Sequence, residues 1–174
     1  MISSAASILR TVFAATALLA LPACVYQPLY GTNSYMSQDA AIALAQIHVA
    51  EVDSRVGQQV RNQLIFQLQG GRDIPEPVYE LRLRVTDNTR LQAAIKDVAD
   101  NTAGVVSVIA SYDLINVANH TRVAGGSRSA SASFDRTGQS FSNERAVRDA
   151  QNRAARLVAE ELRLALAADI AGIQ

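Results

Sequence analysis

The sequence predicts an α+β fold: a four-stranded, mostly antiparallel sheet with two helices packed on one of its faces, in the order β-α-β-β-β-α. Two segments repeat apolar residues at helical spacing, and each has a single apolar face. Two segments alternate apolar and polar residues, as half-buried strands do, and two more, one strongly apolar and one rich in serine and alanine, are also predicted to be strands. Three of these strands follow one another with short connections, which is typical of an antiparallel meander. Residues 46–174 are therefore predicted to form one domain.

Composition limits the classes of function. The chain has 174 residues, of which 49% are hydrophobic and 18% charged, and this excludes a disordered chain. Sixteen basic residues balance sixteen acidic ones. This balance argues against binding of nucleic acid, which needs a net-basic face. Cys24 is the one cysteine, so the sequence predicts neither an internal disulfide nor a cysteine metal cluster.

Residues 1–23 are predicted to be a lipoprotein signal peptide. Arg10 precedes an apolar run over residues 11–21. That run is shorter than the roughly 20 residues that cross a bilayer, but it matches the h-region of a secretory signal. The alternative is a buried core helix. The Leu-Pro-Ala-Cys sequence at 21–24 resembles the bacterial lipobox.

The lipobox resemblance implies that Cys24 becomes the first mature residue and carries a diacylglycerol thioether and an acylated amine. Two or more acyl chains anchor a protein stably in a membrane. Val25 stands where aspartate would signal retention in the inner membrane, so the resemblance implies an outer-membrane location. Residues 24–45 are predicted to be a lipidated tether, since Pro28 and Gly31 interrupt any periodicity.

The domain is predicted to begin with a strand and a helix. Residues 46–52 alternate and predict the strand. Asp53 or Ser54 can cap the next helix by accepting hydrogen bonds from its first-turn amides. Gly70 and Gly71 supply a left-handed stop after about 15 helical residues. The apolar stripe of this helix consists of Val56, Val60, Leu64 and Leu68.

Three strands are predicted next. The first begins near Val78 and extends to Ile95. Residues 105–117 are the most apolar, which predicts a central strand covered on both faces. Residues 121–134 form a strand rich in serine and alanine. A bulge predicted at Gly125 and Gly126 leaves the direction of Arg128 open. In the first strand, Tyr79, Leu81, Leu83 and Val85 face one way, and Glu80, Arg82, Arg84 and Thr86 face the other.

A long final helix is predicted from Ser142 to about Ile170. Asp149 and Arg153 are expected to form an i,i+4 ion pair on it. With both helices on one face of the sheet, the opposite face, with Arg82 and Arg84, stays free. The predicted apolar face of this helix consists of Val147, Ala150, Ala154, Leu157, Val158, Leu162 and Ala165.

Catalytic motifs are absent from the sequence. It contains no G-x-S-x-G, S-x-x-K, H-E-x-x-H, P-loop or G-x-G-x-x-G pattern. His48 and His120 lie far apart and are interpreted as structural or solvent-facing. We therefore expect no enzyme, no cofactor and no metal site.

Basic residues are the more informative polar feature. Fifteen of the sixteen are arginine, whose planar guanidinium fits phosphate bidentately. Arg82 and Arg84 share one strand face, and Arg90 and Lys96 lie further along the same segment. Two interpretations stay open: a solvated sheet face, or a patch that meets a phosphorylated amphiphile such as lipid A.

Three segments together resemble the LPS-assembly lipoprotein family LptE: CVYQPLYG at 24–31, SRVGQQVRNQL at 54–64 and SASASFD at 129–135. The resemblance implies an α+β fold seated inside the β-barrel protein LptD, as part of the translocon that places lipopolysaccharide in the outer leaflet. It also implies that the chain helps the barrel assemble, plugs its lumen and binds lipopolysaccharide. The alternative is a lipid-anchored periplasmic binding module for another envelope component.

The resemblance implies one ligand position in this chain. The family's lipopolysaccharide-contacting cations lie in the loop after the second strand, and Lys96 is the matching residue. A second family position falls near Gln139 and Ser140, where this sequence has no cation. Arg82, Arg84 and Arg90 are candidates from their positions along the strand, and the resemblance does not supply them.

Overall fold

The computed structural model describes residues 38–70, 76–91 and 103–173. One mixed sheet has the strand order β1-β2-β3-β4. The β1–β2 pair is parallel, and the β2–β3 and β3–β4 pairs are antiparallel. The predicted α+β class is confirmed, with one additional short helix. In chain order the elements are α1 (Gln38–Ala45), β1 (Ile47–Val49), α2 (Arg55–Gln69), β2 (Tyr79–Leu91), β3 (Ala103–Asn116), β4 (Arg122–Asp135) and α3 (Ser140–Ile173).

Helix α2 has the caps that the sequence predicts. The side chain of Ser54 accepts a hydrogen bond from the Gly57 N–H at 3.0 Å. Gly70 adopts φ 61°, and its N–H donates to the Phe66 carbonyl at 2.8 Å. Glycine suits this left-handed position because it has no Cβ to clash. The predicted stripe is buried: Val56, Val60, Leu64 and Leu68.

Strand β1 is shorter than the predicted 46–52, and side chains of α2 bond to carbonyl groups at both of its ends. The Arg61 Nε donates to the carbonyls of Val49 and Ala50 at 3.2 and 3.0 Å. The buried Gln69 donates to the Ile47 carbonyl at 3.2 Å. These bonds fasten both ends of the strand to α2.

Helix α1 lies inside the segment that the sequence predicts as a tether. Pro28 and Gly31, near the start of that segment, led to the prediction that it has no regular structure. Leu44 of this helix is nevertheless only 5% exposed and belongs to the core. The short helix therefore adds to the core at a place where the sequence predicts no element.

Strand β3 is central, as predicted, but in the described chain it is covered on one face only. Val106, Val108 and Leu114 point toward the helices and are fully buried. On the opposite face Ser111 is exposed, and Ile109 keeps 46% of its surface exposed. The prediction of two covered faces was wrong, because both long helices occupy the same side of the sheet.

The irregularity in β4 lies nearer the turn than predicted. Leu114 pairs with Ala124 and Ile115 with Arg122, so the shift falls at Val123. Gly125 and Gly126 pair regularly, and the bulge predicted there was wrong.

Gly126 is explained by close packing. It lies opposite Tyr112, where a Cβ would come within 3.2 Å of the ring. Arg128 pairs with Ala110, so it lies on the helix-facing side of the sheet, and its side chain is exposed at the edge. This settles the direction that the sequence left open.

Helix α3 turns its buried face toward both the sheet and α2. Arg55 of α2 donates to Asn152 at 3.2 Å and also to Gln151. This orientation leaves Leu157 45% exposed, so its predicted place on the apolar face was wrong. The predicted Asp149–Arg153 ion pair is confirmed at 2.8 Å. The buried residues of α3 are Ala150, Ala154, Ala155, Val158, Ala159, Leu162, Ala165, Leu166 and Ile170.

A hydrogen bond joins the central strand to the last helix. The hydroxyl of Tyr112 donates to Asp169 at 2.7 Å. Burial, together with this bond and the charge of Asp169, raises the pKa of Tyr112 to about 12. The neutral phenol is therefore the form that the folded state favours.

We expect Leu64→Ala to lower the free energy of unfolding by about 2–5 kcal/mol, since the side chain is completely buried and its removal leaves a cavity. Denaturant unfolding measures this change. Phe66→Ala is the matched control on the same helix. Phe66 is 64% exposed, so its loss should stay within about 0.5 kcal/mol. Equal losses in the two variants would contradict the assignment of the buried face.

A second prediction concerns alkaline pH. The pKa of Tyr112 is higher in the folded chain than its ordinary value of 10.0. The contribution of the neutral phenol to the free energy of unfolding is thus fully present below pH 10, and it is lost as the pH rises toward about 12. The stability advantage of the wild type over Tyr112→Phe should shrink across that interval. Unfolding titrations from pH 8 to 12 test it, and a constant difference would refute it.

Candidate functional site

Basic side chains line the open face of β2, as the alternation predicts. Arg82, Arg84 and Arg90 are separated by even numbers of residues, so they lie on the same side of the strand. All three are exposed. Arg82 and Arg84 are about 7 Å apart along the strand, whereas Arg90 lies about 20 Å beyond Arg84. The strand therefore brings two of the three candidates together. Lys96 and Cys24 lie outside the described residues.

Neighbouring carboxylates neutralise part of this row. Arg82 pairs with Glu80 at 2.7 Å, and this hydrogen bond holds the pKa of Glu80 below its ordinary value and raises that of Arg82. Opposite Arg82 on β3, Asp113 pairs with Arg122 at 2.5 Å. Within the described ranges, Arg84 and Arg90 have no such ion pair. They are the cations of this face that remain available to a ligand.

Serines fill much of the rest of the open face. The hydroxyls of Ser107 and Ser131 lie 2.8 Å apart across the β3–β4 pair, and Ser111 donates to Ser127 at 3.4 Å. Ser129 and Ser133 continue the row on β4. The β4 part of the open face is thus lined by short hydroxyl side chains from Ser127 to Ser133, whereas the β2 part carries the arginines.

A groove of about 820 Å³ opens where β2 and β4 end beside the first turns of α3. Its apolar wall includes Leu91, Phe134 and Val147, and Arg136 and Arg148 also line it. Phe134 lies against Gly104, where a Cβ would overlap the ring. The groove combines apolar surface with two guanidinium groups against the one carboxylate of Glu144, and this combination suits an anionic amphiphile.

Polar contacts fix the rim of this groove. Asn143 accepts from the Thr137 N–H at 2.8 Å and donates to the Thr137 carbonyl at 2.9 Å. Gln151 donates to Asp87 at 2.8 Å and so joins α3 to β2. These bonds hold the strand ends against the helix start.

Sequence reasoning missed this groove. It found no cation near Gln139 and Ser140, but the fold brings Arg136 and Arg148 to the same place from either side of that position. The sequence does show Arg136 close to the apolar Phe134. It does not show that Arg148 of α3 lies beside them, because that depends on tertiary structure.

Other chemistry does not assemble in the described part of the chain. No three His, Cys, Asp or Glu side chains there could hold a metal ion together. His48 on β1 and His120 in the β3–β4 turn are both exposed. None of the described helices is both long and apolar enough to cross a membrane.

Comparisons with known proteins identify the fold. No protein-family model matches the chain, and no curated protein matches its sequence. A candidate lipoprotein from Caulobacter crescentus CB15 matches with a TM-score of 0.60 and 24% identity, over 77% of this chain and 97% of that one. A minor lipoprotein from Acinetobacter baumannii matches with a TM-score of 0.51 and 13% identity, over 72% and 95%.

Rare lipoprotein B from Shewanella oneidensis matches with a TM-score of 0.53 and 7% identity, over 73% of this chain and 96% of that one. The likeness thus spans nearly the whole of each solved chain, at sequence identities of 7% to 24%. The chain has a fold found in bacterial lipoproteins.

Proposed function

We propose that this chain is an outer-membrane lipoprotein of the LptE family, a component of the lipopolysaccharide translocon. In this role it plugs the LptD barrel, assists its assembly and binds lipopolysaccharide during insertion into the outer leaflet. The observation that carries the proposal is the fold shared with three bacterial lipoproteins. The lipobox at Cys24 and the family-like segments at 24–31 and 54–64 support it.

The open sheet face suits a seat inside a barrel. The interior of a membrane barrel is polar, because its apolar side chains face the lipid. Ser107, Ser111 and Ser131 give the β3–β4 part of this face short hydroxyl side chains, which can hydrogen-bond to a polar wall. A plug needs the open sheet face to fit the polar wall of the barrel, and it needs no catalytic residue.

The groove suits the ligand. Lipopolysaccharide combines phosphates with acyl chains, and the groove combines Arg136 and Arg148 with apolar side chains. Leu91 lines the groove and is the last described residue before the segment that contains Lys96. Arginine binds phosphate through two parallel hydrogen bonds. We therefore assign phosphate contacts to the groove arginines and to Lys96. Arg84 and Arg90 form a separate surface, which we expect to bind phosphate more weakly.

The alternative is a lipid-anchored periplasmic binding module for another envelope component, and the free arginines of the open face favour it. Isolation of the full chain from outer membranes in mild detergent separates the two. A barrel protein at a one-to-one ratio, together with a palmitate label that Cys24→Ser abolishes, supports the translocon. Capture without a barrel would favour the alternative, and an unlabelled chain that retains residues 1–23 would overturn both.

Charge reversal at one groove arginine and at Lys96 tests ligand binding. We expect Lys96→Asp and Arg148→Asp each to weaken binding of purified lipopolysaccharide about fivefold or more, as the loss of one charge-assisted contact does. Their free energies of unfolding should stay within about 0.5 kcal/mol of the wild type.

Arg156→Asp is the matched control, because it makes the same charge change on α3 outside the groove. Equal weakening by Arg148→Asp and Arg156→Asp would show that net charge, and not the groove, controls binding.

A further inference from the structure

The two edges of the sheet differ in protection. Beyond Leu81, no described strand pairs with the outer side of β2, but three arginines lie along that strand. Charged side chains commonly protect a sheet edge against further pairing. Between Gly126 and Phe134, β4 has Arg128 as its one charged residue. The outer edge of β4 is therefore the less protected of the two.

The odd-numbered residues of β4 direct their backbone groups to this outer edge. Asn116 of β3 donates to the Thr121 carbonyl, so the even-numbered residues of β3 bond toward β4. The register places them opposite even-numbered residues of β4, as Val108 lies opposite Ala130. In an antiparallel strand, alternate residues direct both N–H and C=O to the same side. The outward-directed set is therefore Ser127, Ser129, Ser131 and Ser133.

Two arginines enclose a free stretch of the outer edge. Arg153 of α3 donates to the Ser133 carbonyl at 2.7 Å. Arg128 donates to the Ser127 carbonyl at 2.8 Å. In the described part of the chain, no hydrogen bond reaches the outward backbone groups of the two serines between them. The two bonded carbonyls are about 20 Å apart along the strand, which is the length of a short strand.

A groove of about 390 Å³ runs between this stretch and α3. Leu157 lines it and is 45% exposed. Arg156 lies beside Leu157 and forms no ion pair within the described residues, whereas Arg153 pairs with Asp149. Glu160 is the one carboxylate of the groove lining, against two arginines. The groove therefore favours an apolar side chain and a negative charge.

We propose that the outer edge of β4 binds an extended segment of a different polypeptide as an antiparallel fifth strand. Side chains of the added strand opposite Ala130 and Ala132 point toward α3, because the side chains of paired residues share one face. There an apolar residue contacts Leu157 and a carboxylate contacts Arg156. A further carboxylate opposite Arg128 forms a cross-strand ion pair. The intervening side chains lie beside the serines of the open face.

The added strand leaves the existing contacts in place. It occupies the stretch between the two bonded carbonyls, so Arg153 keeps both Ser133 and Asp149. Backbone hydrogen bonds supply affinity in this kind of recognition, and the alternate side chains supply specificity. The partner is therefore a short acidic segment that alternates small polar residues with carboxylate and apolar ones. This docking goes beyond the proposed function and is compatible with a single copy of the chain in each barrel.

Peptide binding to the full-length chain in detergent tests the backbone pairing. The probe is the end-blocked peptide Thr-Glu-Thr-Val-Thr-Glu-Thr, whose threonine N–H groups would face β4. N-methylation of the two threonines next to the valine removes two of these donors, so affinity should fall about tenfold or more. N-methylation of the two glutamates is the matched control, because their N–H groups point away from β4. That peptide should bind within about twofold of the unmodified one. Isothermal titration calorimetry measures all three affinities.

Variants of the chain test the same contacts from the other side. Ser131→Pro removes the central outward N–H, and an edge strand tolerates proline at such a position. Affinity for the unmodified peptide should fall about tenfold, whereas Ser131→Ala, which keeps the N–H, should leave it within about twofold. Leu157→Ala should weaken binding about threefold or more. Leu164→Ala is its control, since Leu164 is 52% exposed on α3 and lies outside the groove.

Several outcomes would overturn this assignment. They are equal affinities for the two methylated peptides, equal effects of Leu157→Ala and Leu164→Ala, and no binding of the unmodified peptide at millimolar concentration. The mass of two chains by light scattering without peptide would assign the edge to a second copy and would also overturn it. If Ser131→Pro does not fold, the methylated peptides still decide. None of these measurements needs a barrel or lipopolysaccharide, so their failure leaves the proposed function unaffected.

Discussion

Burial on a single side of the sheet is the constraint on which the rest of the molecule depends. Strand β3 sends Val106, Val108 and Leu114 toward α2 and α3, where they are fully buried. Because both long helices lie on that side, the core is one layer between helices and sheet. The other side of the sheet is left to serines, arginines and Ile109. The candidate ligand-binding surfaces are therefore the open sheet face and the groove at the sheet end.

Small residues make this arrangement compact. Five alanines of α3 are buried, which lets the helix lie close to β3, β4 and α2: Ala150, Ala154, Ala155, Ala159 and Ala165. Glycine has the same effect within the sheet, where Gly126 leaves room for the Tyr112 ring and Gly104 for Phe134. The aromatic rings pack over backbone at these points. The hydroxyl of Tyr112 can then reach Asp169 on the helix.

Local periodicity was sufficient to predict most of the fold. The stripe of α2, its Ser54 and Gly70 caps, and the alternation of Arg82 and Arg84 on β2 are properties of short segments, so they could be read directly. The exposure of Leu157 could not be predicted in this way, because it depends on how α3 is rotated against α2. The groove at Arg136 and Arg148 needed the end of β4 to be placed beside α3. The periodicity of a sequence does not show how its helices and strands are placed relative to one another.

The fastening of β1 has a mechanical consequence. This three-residue strand runs parallel to β2, and α2 grips it through Arg61 at one end and Gln69 at the other. A pull on the chain ahead of Ile47 would act on a strand that is held both by its pairing with β2 and by side-chain bonds from α2. Tension that arrives from the N-terminal side would therefore meet α1, whose Leu44 belongs to the core, and then a strand that is tied to both β2 and α2.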